Sequence, residues 1–318
     1  MDLEPRTDDV HREILGFLPP NLMDFSDLDA GRAQLMAMLA ATPAELPDDI
    51  SVEDHHVATA DGHSLLVRVY RPSTAGSGSP ALYWMHGGGM ILGNVSMDDA
   101  ICASYAVAAS AIVASVEYRL APDFPFPTPI DDCYSGLAWL FGMAVELGID
   151  PTRIAIGGAS AGAGLAAGLA LMVRDRGDFR PCFQVLRYPM IDDRNLTPSS
   201  RAIEDQRVWN RSANQIAWSA YLGGGAGGID VSIYAAPARA TDLAGLPPAI
   251  VTVGDLDLFL DEDIAYAQAL LGAGVPTELH VYPGSFHGSD VMVPHADASQ
   301  RWRRDEVAAL TRAFASSQ

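Results

Sequence analysis

The chain contains no lysine, so all 20 of its basic side chains are arginine, and they are outnumbered by 40 acidic side chains. The formal net charge of −20 at pH 7 argues against nucleic acid as a partner, because binding to phosphate groups needs a basic surface. This composition also raises adaptation to high salt as an alternative to an ordinary solvated acidic surface. The composition therefore argues against nucleic acid as a partner and leaves adaptation to high salt as an open alternative.

Signals for secretion and for membrane insertion are lacking as well. Residues 1–4 (MDLE) are acidic and carry neither a basic region nor an apolar one, so we expect a cytoplasmic protein. Residues 154–173 are uncharged and long enough to span a bilayer. They are dominated by alanine and glycine and include a tight-turn motif, so they favour a buried strand, a turn and a buried helix over membrane insertion.

Cysteine is scarce, and the three cysteines are Cys102, Cys133 and Cys182. Their odd number, wide spacing and apolar neighbours favour reduced core thiols over disulfides. No grouping of cysteine or histidine has the spacing of a metal site, and the pair His55-His56 lies in an alternating, strand-like run. We therefore expect no metal in this protein.

Apolar residues make up 49% of the 318 residues and aromatic residues 8%, which is enough for a substantial core in one domain with insertions. Short β-rich runs alternate with helical stretches, and this predicts the α/β class, with a mainly parallel sheet flanked by helices on both faces. The predicted strands are residues 55–60, 64–70, 81–85, 112–116, 153–156, 183–188, 249–253 and 278–282, the first two joined as a hairpin by Asp61-Gly62. The predicted helices among and after them are residues 99–109, 131–147, 161–174, 261–273 and 298–315. Ligands of such folds bind at the carboxyl ends of the strands.

Two segments lie outside this alternation. Residues 1–50 have a helical apolar period interrupted by prolines, so we expect N-terminal cap helices ahead of a catalytic domain of residues 51–318. Residues 191–246 are polar and end in glycine-rich and proline-rich runs, and we expect them to be a second cap piece inserted over the site. The large aromatic residues of this insertion, which suit a cap core, are Trp209, Trp218 and Tyr221.

Two glycine-rich segments, each directly after a strand-like run, are the most informative pattern in the chain. Residues 158–162 (GASAG) match GxSxG, which is typical of a strained strand-to-helix turn that exposes a nucleophilic serine, here Ser160. Residues 86–89 (HGGG) supply backbone N–H groups suited to stabilise the oxyanion of a tetrahedral intermediate. Together, in this order, the two segments predict a serine hydrolase.

A neutral serine needs a base to take its proton. His287 is the best candidate, because residues 284–288 (GSFHG) directly follow the last predicted strand, at the edge of the sheet where a site belongs. His86 belongs to the glycine-rich segment instead, and we expect His86 and Gly89 to support that loop.

The base in turn needs an orienting carboxylate, which the loop after the predicted strand 249–253 offers. Asp261 begins a helical run, and we expect it to cap that helix. Spacing leaves Asp255 and Asp257 as alternatives for the acid. With either, the chain order of the triad is serine, aspartate, histidine, which is the order of α/β-hydrolases.

The chain resembles the bacterial hormone-sensitive-lipase-like esterases, also called family IV carboxylesterases, over roughly residues 50–317. The matching segments are residues 86–89 (HGGG), 118–122 (YRLAP) with 124–127 (FPFP), and 257–262 (DLFLDE). The resemblance implies the α/β-hydrolase fold and favours Asp257, the first aspartate of the last segment, as the triad acid. It also implies an oxyanion hole formed by the backbone N–H groups of Gly87, Gly88 and Ala161.

The same resemblance implies an activity. Family members hydrolyse small esters of short- to medium-chain acids through an acyl-enzyme, without a metal or cofactor, and many of them are homodimers. A homodimer is therefore open for this chain too. Met90, Trp209 and Phe286 are candidates for the walls of the substrate pocket, with plain packing as the alternative.

The chain departs from the family's usual pattern at three positions. Ala159 stands where aspartate or threonine is usual before the nucleophile, and Ala163 where glycine is usual after it. Ser289 stands where phenylalanine is frequent, and we expect more room or a more polar rim beside the triad there. These changes concern support of the site and choice of substrate rather than the type of reaction.

The sequence therefore predicts a carboxylesterase that acts on small-molecule esters. A non-catalytic small-molecule-binding protein on the same fold is the alternative, and the complete set of Ser160, Asp257 and His287 argues against it. Amide or lactone hydrolysis by the same groups stays open.

Overall fold

The computed structural model describes residues 1–41 and 45–316. Residues 42–44 and 317–318, which fall in the predicted segments 1–50 and 51–318, lie outside that part. The strands of the described part are β1 (Ile50–Ala58), β2 (Ser64–Pro72), β3 (Ser79–Met85), β4 (Ile112–Val116), β5 (Ile149–Ala159), β6 (Gln184–Arg187), β7 (Ala249–Gly254) and β8 (Thr277–Tyr282). They form one sheet in the order β1-β2-β4-β3-β5-β6-β7-β8.

Most of the sheet is parallel, which confirms the predicted fold class. Strands β4, β3, β5, β6, β7 and β8 run parallel to one another, and only β1 and β2 run antiparallel to their neighbours. The predicted hairpin between β1 and β2 is present, with Ala58 paired to Ser64 and Gly62 at φ 84° in the turn. Positive φ is the conformation that glycine adopts without strain.

Helices cover both faces of the sheet. The α-helices of the described part are α1 (Asp9–Phe17), α2 (Leu28–Ala40), α3 (Asp99–Ala108), α4 (Thr128–Gly142), α5 (Ala161–Arg176), α6 (Pro198–Ala202), α7 (Arg211–Tyr221), α8 (Leu260–Gly272), α9 (Ser289–Met292) and α10 (Asp297–Ser316). Successive side chains of β3 enter opposite cores, Tyr83 on the side of α4, α5 and α8, and Trp84 on the side of α3 and α10. This alternation follows from the two-residue period of a strand and explains why the central strands are apolar on both faces.

The uncharged stretch 154–173 consists of the end of β5, a turn and most of α5. Residues 161–173 of this helix are all buried inside the protein. A Cβ at Gly162 would overlap the carbonyl oxygen of Met85, so the helix packs against β3 at a distance that only glycine allows. Within the described residues, no helix is long and apolar enough to cross a membrane.

Three predicted elements have boundaries that are wrong by three residues or more. Strand β5 covers Ile149–Ala159 rather than 153–156. Helix α4 begins at Thr128 and ends at Gly142 instead of covering 131–147, because Pro129 occupies the first turn, where its missing N–H costs nothing. Strand β1 begins at Ile50 rather than at His55, because its first residues pair with the far end of β2, where Ile50 lies opposite Pro72.

Two segments outside the sheet lie over its carboxyl edge, and we call residues 1–41 and 191–246 together the cover. The two parts touch each other: the N–H of Met23 donates to the carbonyl of Gln206 at 2.8 Å, and the rings of Phe25 and Trp209 are 5.9 Å apart. The guanidinium of Arg32 donates to the carbonyl of Ile91, which belongs to the loop after β3. The N-terminal segment is thereby attached both to the insertion and to the edge of the sheet.

Candidate active site

Ser160 occupies the sharp turn between β5 and α5, with φ 56° and ψ −119°. Positive φ is rare for a residue with a side chain and marks a strained conformation that the surroundings maintain. The N–H of Ser160 donates to the carbonyl of Arg187 at 2.9 Å, and a Cβ at Gly158 would overlap the backbone of Gly162, so the turn admits only small neighbours. Ala161 follows as the first residue of α5, where N–H groups have no acceptor within the helix.

A continuous chain of hydrogen bonds connects Ser160 to His287 and His287 to Asp257. His287 Nε2 is 3.0 Å from Ser160 Oγ, and His287 Nδ1 is 2.8 Å from Asp257 Oδ2. The other carboxylate oxygen of Asp257 accepts the N–H of Phe259 at 2.9 Å, and the carboxylate is buried. Since an aspartate oxygen accepts from Nδ1, the network places the imidazole proton on Nδ1 and leaves Nε2 to accept the serine proton.

The alternative acid, Asp255, points away from the imidazole. Its Oδ1 accepts the N–H of Gly284 at 2.7 Å, and its Oδ2 forms an ion pair with Arg6 at 3.2 Å. Asp255 therefore holds the loop before His287 and the N-terminal part of the cover, while Asp257 holds the imidazole.

The prediction that Asp261 caps the next helix is wrong. Helix α8 starts at Leu260, its N-cap residue is Phe259, and no side chain caps it. Asp261 lies one residue inside, in the first turn, where its carboxylate accepts the N–H of Ser199 at 2.7 Å. The helix begins earlier than predicted because the carboxylate of Asp257 already binds the N–H of Phe259.

The glycine-rich loop after β3 lies beside the nucleophile. A Cβ at Gly87 would be 3.2 Å from the carbonyl oxygen of Ala159 and 3.6 Å from Ser160 Cβ. Gly88 has φ 112°, and a Cβ there would overlap the carbonyl of Leu92, so the loop folds back on itself in a conformation that only glycine adopts. Gly87 thereby lies against the turn that carries Ser160.

His86 is fully buried under this loop. Its Nδ1 is 2.7 Å from the carbonyl oxygen of Gly87, and its ring stacks on Tyr118 with centroids 4.2 Å apart. The hydroxyl of Tyr118 donates to the carbonyl of His86 at 2.8 Å. Burial lowers the pKa of His86 to about 4, so the ring is neutral at pH 7. These contacts fit the expected role of His86 as an anchor of the loop.

Of the three candidate pocket residues, Trp209 lies at the site. A Cβ at Gly89 would be 2.9 Å from Trp209 Cζ2 and closer still to Cη2, so the indole packs directly on the glycine-rich loop. The ring centroid is 6.4 Å from that of His287, and Trp209 Nε1 donates to Asn214 Oδ1 at 3.2 Å. Gly89 supports the loop by leaving room for this indole.

Met90 and Phe286 are fully buried instead. Phe286 packs edge to face on His11 of α1 with centroids 5.8 Å apart, so it connects the histidine loop to the cover. The methyl group of Met90 is 3.6 Å from the position of a Cβ at Gly164, in the core beneath the loop. Both side chains therefore fit the alternative stated above, in which they pack in the core rather than line the substrate pocket.

The three departures from the family pattern are all buried positions. Ala159 ends β5 beneath the glycine-rich loop, and Ala163 lies in the first turn of α5. Ser289 is fully buried, and its N–H donates to the carbonyl of Phe286 at 3.0 Å. The expectation of a more polar rim at Ser289 is wrong, because this side chain faces the interior.

Two aromatic residues beside His287 were missed by sequence reasoning. Tyr188 and Phe259 pack edge to face on the imidazole, with centroids 4.6 Å and 5.2 Å away. Tyr188 directly follows β6, and Phe259 follows Asp257 by two residues. The signal that could have identified them is their position just beyond the carboxyl ends of strands, where ligands of such folds bind.

Among the described residues, no group of three or more histidine, cysteine, aspartate or glutamate side chains is arranged to hold a metal ion. His55 packs on Trp139 with ring centroids 5.1 Å apart. Burial raises the thiol pKa of both Cys102 and Cys133 well above the ordinary value, which leaves them protonated in the core.

Comparison with known proteins agrees with this geometry. A family described as having the alpha/beta hydrolase fold matches residues 82–290. The carboxylesterase NlhH of Mycobacterium tuberculosis is 35% identical over 290 residues, 89% of this chain and 89% of the relative. An ethyl acetate hydrolase of Pseudomonas putida is 34% identical over 269 residues, 82% of each chain.

Among solved structures, a bacterial heroin esterase superposes with a TM-score of 0.94 at 42% identity, covering 98% of this chain and 99% of that one. Identity at this level over nearly the whole length extends beyond the fold to the activity that these relatives share. The chain therefore belongs to the hormone-sensitive-lipase-like, or family IV, carboxylesterases of the α/β-hydrolase superfamily, and it is an ester hydrolase.

Proposed function

We propose that this carboxylesterase hydrolyses its substrates through an acyl-enzyme on Ser160, with His287 as general base and acid and Asp257 as the orienting carboxylate. The observation that carries the proposal is the hydrogen-bonded chain from Ser160 Oγ through both imidazole nitrogens to Asp257, at 3.0 Å and 2.8 Å. Both distances lie in the range that proton transfer requires.

In the first half of the reaction, Ser160 Oγ attacks the ester carbonyl carbon while His287 Nε2 takes the hydroxyl proton. The carbonyl oxygen becomes an oxyanion, which accepts hydrogen bonds from the N–H groups of Gly87, Gly88 and Ala161. One well-placed donor of this kind is worth about 3 to 4 kcal/mol of transition-state stabilisation. The N-terminus of α5 adds a favourable field, since Ala161 is its first residue.

The intermediate then collapses. The bond to the alkoxy oxygen breaks, His287 gives its proton to that oxygen, and the alcohol leaves an acyl group on Ser160. In the second half, water attacks the acyl carbon while His287 takes one of its protons. His287 finally protonates Ser160 Oγ, and the carboxylic acid and the free serine are released.

The acyl part of the substrate is proposed to be short to medium in length. Trp209 lies against Gly89 and beside the imidazole, so it occupies space next to the reacting carbonyl that a long chain would need. The name of one relative specifies ethyl acetate, a small ester, as its substrate.

Residues 1–50 and 191–246 are proposed to form the cap of a catalytic domain of residues 51–318. The contacts of Phe25 with Trp209 and of Arg32 with the carbonyl of Ile91 support this division, since they connect residues 1–41 to the insertion and to the loop after β3. A homodimer is a separate proposal, which light scattering of the purified protein tests.

The test of the mechanism is Ser160→Ala, with 4-nitrophenyl acetate as substrate. We expect kcat to fall by about 10⁴-fold or more, because the nucleophile is lost and only binding and the oxyanion donors remain. Ser289→Ala is the matched control, since it removes a buried serine hydroxyl that has no hydrogen-bond partner among the described residues. Undiminished turnover by Ser160→Ala, or covalent labelling of that variant by an organophosphonate, would refute the proposal.

A further inference from the structure

Tyr188 touches the histidine loop at two points. Its ring packs edge to face on the imidazole of His287, with centroids 4.6 Å apart and planes at 62°. Its hydroxyl donates to Asp290 Oδ1 at 3.0 Å, three residues further along the same loop. Tyr188 therefore connects the imidazole to the short helix α9 that follows it.

The backbone of Tyr188 is strained. Its φ is 36°, in the left-handed region that a bulky side chain rarely adopts. Its N–H donates to the carbonyl of Thr252 in β7 at 2.6 Å, which holds the residue in place just beyond β6. A strained residue persists only where its surroundings over-determine it, and such residues concentrate at functional sites.

The second anchor, Asp290, is held from the opposite side by a buried arginine. Asp290 Oδ2 accepts from Arg187 Nη1 at 2.9 Å. Arg187 is in turn bound by Glu306 of α10, whose Oε1 accepts from Arg187 Nε at 3.2 Å. Thr252 and Tyr105 complete the cluster by donating to Glu306 at 2.7 Å and 2.6 Å.

Burial of these charged groups has a large desolvation cost. Arg187, Asp290 and Glu306 are each at most 3% exposed. Desolvation of charged groups offsets most of the attraction between them, so a buried ion-pair cluster adds little net stability compared with apolar packing. Burial raises the pKa of Asp290, and the neighbouring Arg187 opposes that shift. What the cluster does provide is a fixed position for the carboxylate of Asp290, to which Tyr188 is bound.

We propose that Tyr188 and Asp290 are positioning residues that hold the imidazole of His287 in line with Ser160 Oγ. Asp257 binds one nitrogen of the ring, and Tyr188 with Phe259 packs against the ring itself. The hydroxyl of Tyr188 prevents its ring from moving away, because Asp290 is fixed by Arg187. This inference rests on the proposed role of His287 as base.

The test compares Tyr188→Phe with Tyr105→Phe. Each variant deletes one phenolic hydroxyl from the same buried cluster, but only Tyr188 contacts His287. We measure kcat and KM for 4-nitrophenyl acetate, with active sites counted by organophosphonate titration so that unfolded protein does not enter kcat. The melting temperature of each variant is recorded alongside.

We expect Tyr188→Phe to lower kcat about 10-fold with KM within about 2-fold of the parent, because a small misalignment of the base affects the chemical step more than binding. Tyr105→Phe is expected to lower the melting temperature similarly and to leave kcat within about 2-fold. Equal losses of kcat in the two variants, or an unchanged kcat in Tyr188→Phe, would overturn the proposal.

Asp290→Asn provides a second, independent variant. It keeps the shape of the side chain, and we expect the same loss of kcat with the same KM. Because Tyr188 and Asp290 act through one hydrogen bond, the double variant is expected to lose no more than about 2-fold beyond either single one. Full additivity would contradict the inference, whereas activity in Ser160→Ala would refute the proposed mechanism itself, so the two failures are distinguishable.

Discussion

Ser160, Asp257 and His287 each follow a different parallel strand. The cover instead consists of segments outside the sheet, which contact one another through side chains and through a backbone hydrogen bond between Met23 and Gln206. The backbone restricts which residues can lie around the nucleophile. A Cβ at Gly162 would overlap the backbone of β3, and the positive φ of Gly88 is unfavourable for any residue that has a side chain. In the cover, by contrast, Trp209 is held by one hydrogen bond to Asn214 and by ring contacts. A glycine that the backbone requires cannot be replaced by another residue. A side chain that makes only packing contacts can be replaced without changing the backbone around it.

This difference indicates a division of labour. In the proposed mechanism, the carboxyl edge of the sheet determines which reaction occurs, because the proposed reacting groups and their spacing are set there. In the same proposal, the cover determines which substrates reach those groups, since Trp209 occupies space beside them. Substitutions at the edge should therefore lower kcat/KM by a similar factor for all esters. Substitutions in the cover should change the relative kcat/KM values of different esters.

The largest expected effect is that of Asp257→Asn. We expect kcat/KM to fall about 10⁴-fold for every ester, because an amide favours the wrong tautomer of His287. The measurement is the hydrolysis of 4-nitrophenyl acetate and of 4-nitrophenyl hexanoate.

Asp255→Asn is the matched control for this substitution. It removes the same charge two residues away, but its carboxylate binds Gly284 and Arg6 rather than the imidazole. We expect a loss below about 10-fold. A larger loss at Asp255 than at Asp257 would show that the acid has been assigned wrongly.

Trp209→Ala should have an intermediate effect and should act on substrate choice. Removing the indole opens space beside Gly89, so we expect the ratio of kcat/KM for the hexanoate to that for the acetate to rise about 10-fold. Trp218→Ala is the control, because it truncates a buried tryptophan of the same insertion that packs on Tyr221 instead. A ratio that is unchanged by Trp209→Ala, or changed equally by both variants, would contradict the division between edge and cover.

Arg6→Gln should have the smallest effect. Its ion pair with Asp255 is solvent-accessible on both sides, so we expect a loss of about 0.5 kcal/mol or less in the free energy of unfolding, which 1 M salt abolishes. Urea unfolding at low and high salt measures this loss, and kcat should stay within about 2-fold. A large loss of kcat would mean that the N-terminal part of the cover takes part in setting the catalytic geometry.

Much of this fold could be predicted because its strands are short apolar runs with clear ends. Strand β4 was predicted at residues 112–116 and has those bounds in the structure. The residues after such strands meet at one edge, so the sequence could single out Ser160, Asp257 and His287, which the structure brings within hydrogen-bond distance. The local turn chemistry of GxSxG and of the glycine-rich loop adds information that does not depend on distant residues.

Contacts between residues that are far apart in the chain could not be predicted from the sequence. Tyr188 and Asp290 are 102 positions apart, and nothing in the local pattern of either indicates the other. Phe286 was a pocket candidate because it precedes His287, but its partner His11 belongs to a helix whose position depends on the tertiary packing of the cover. Local patterns determine where elements begin and end, whereas the pairing of side chains is decided by how the elements pack.

The burial of Arg187 makes the edge of the sheet depend on a distant part of the chain. Its carboxylate partner Glu306 lies on α10, the last helix of the chain, whereas Arg187 itself ends a central strand. Without α10, this guanidinium would keep only Asp290 as a buried counter-charge, so one carboxylate instead of two would compensate its burial. Loss of α10 is therefore expected to leave a buried cation under-compensated beside the edge of the sheet that carries Ser160, so the integrity of this distant helix matters for the site.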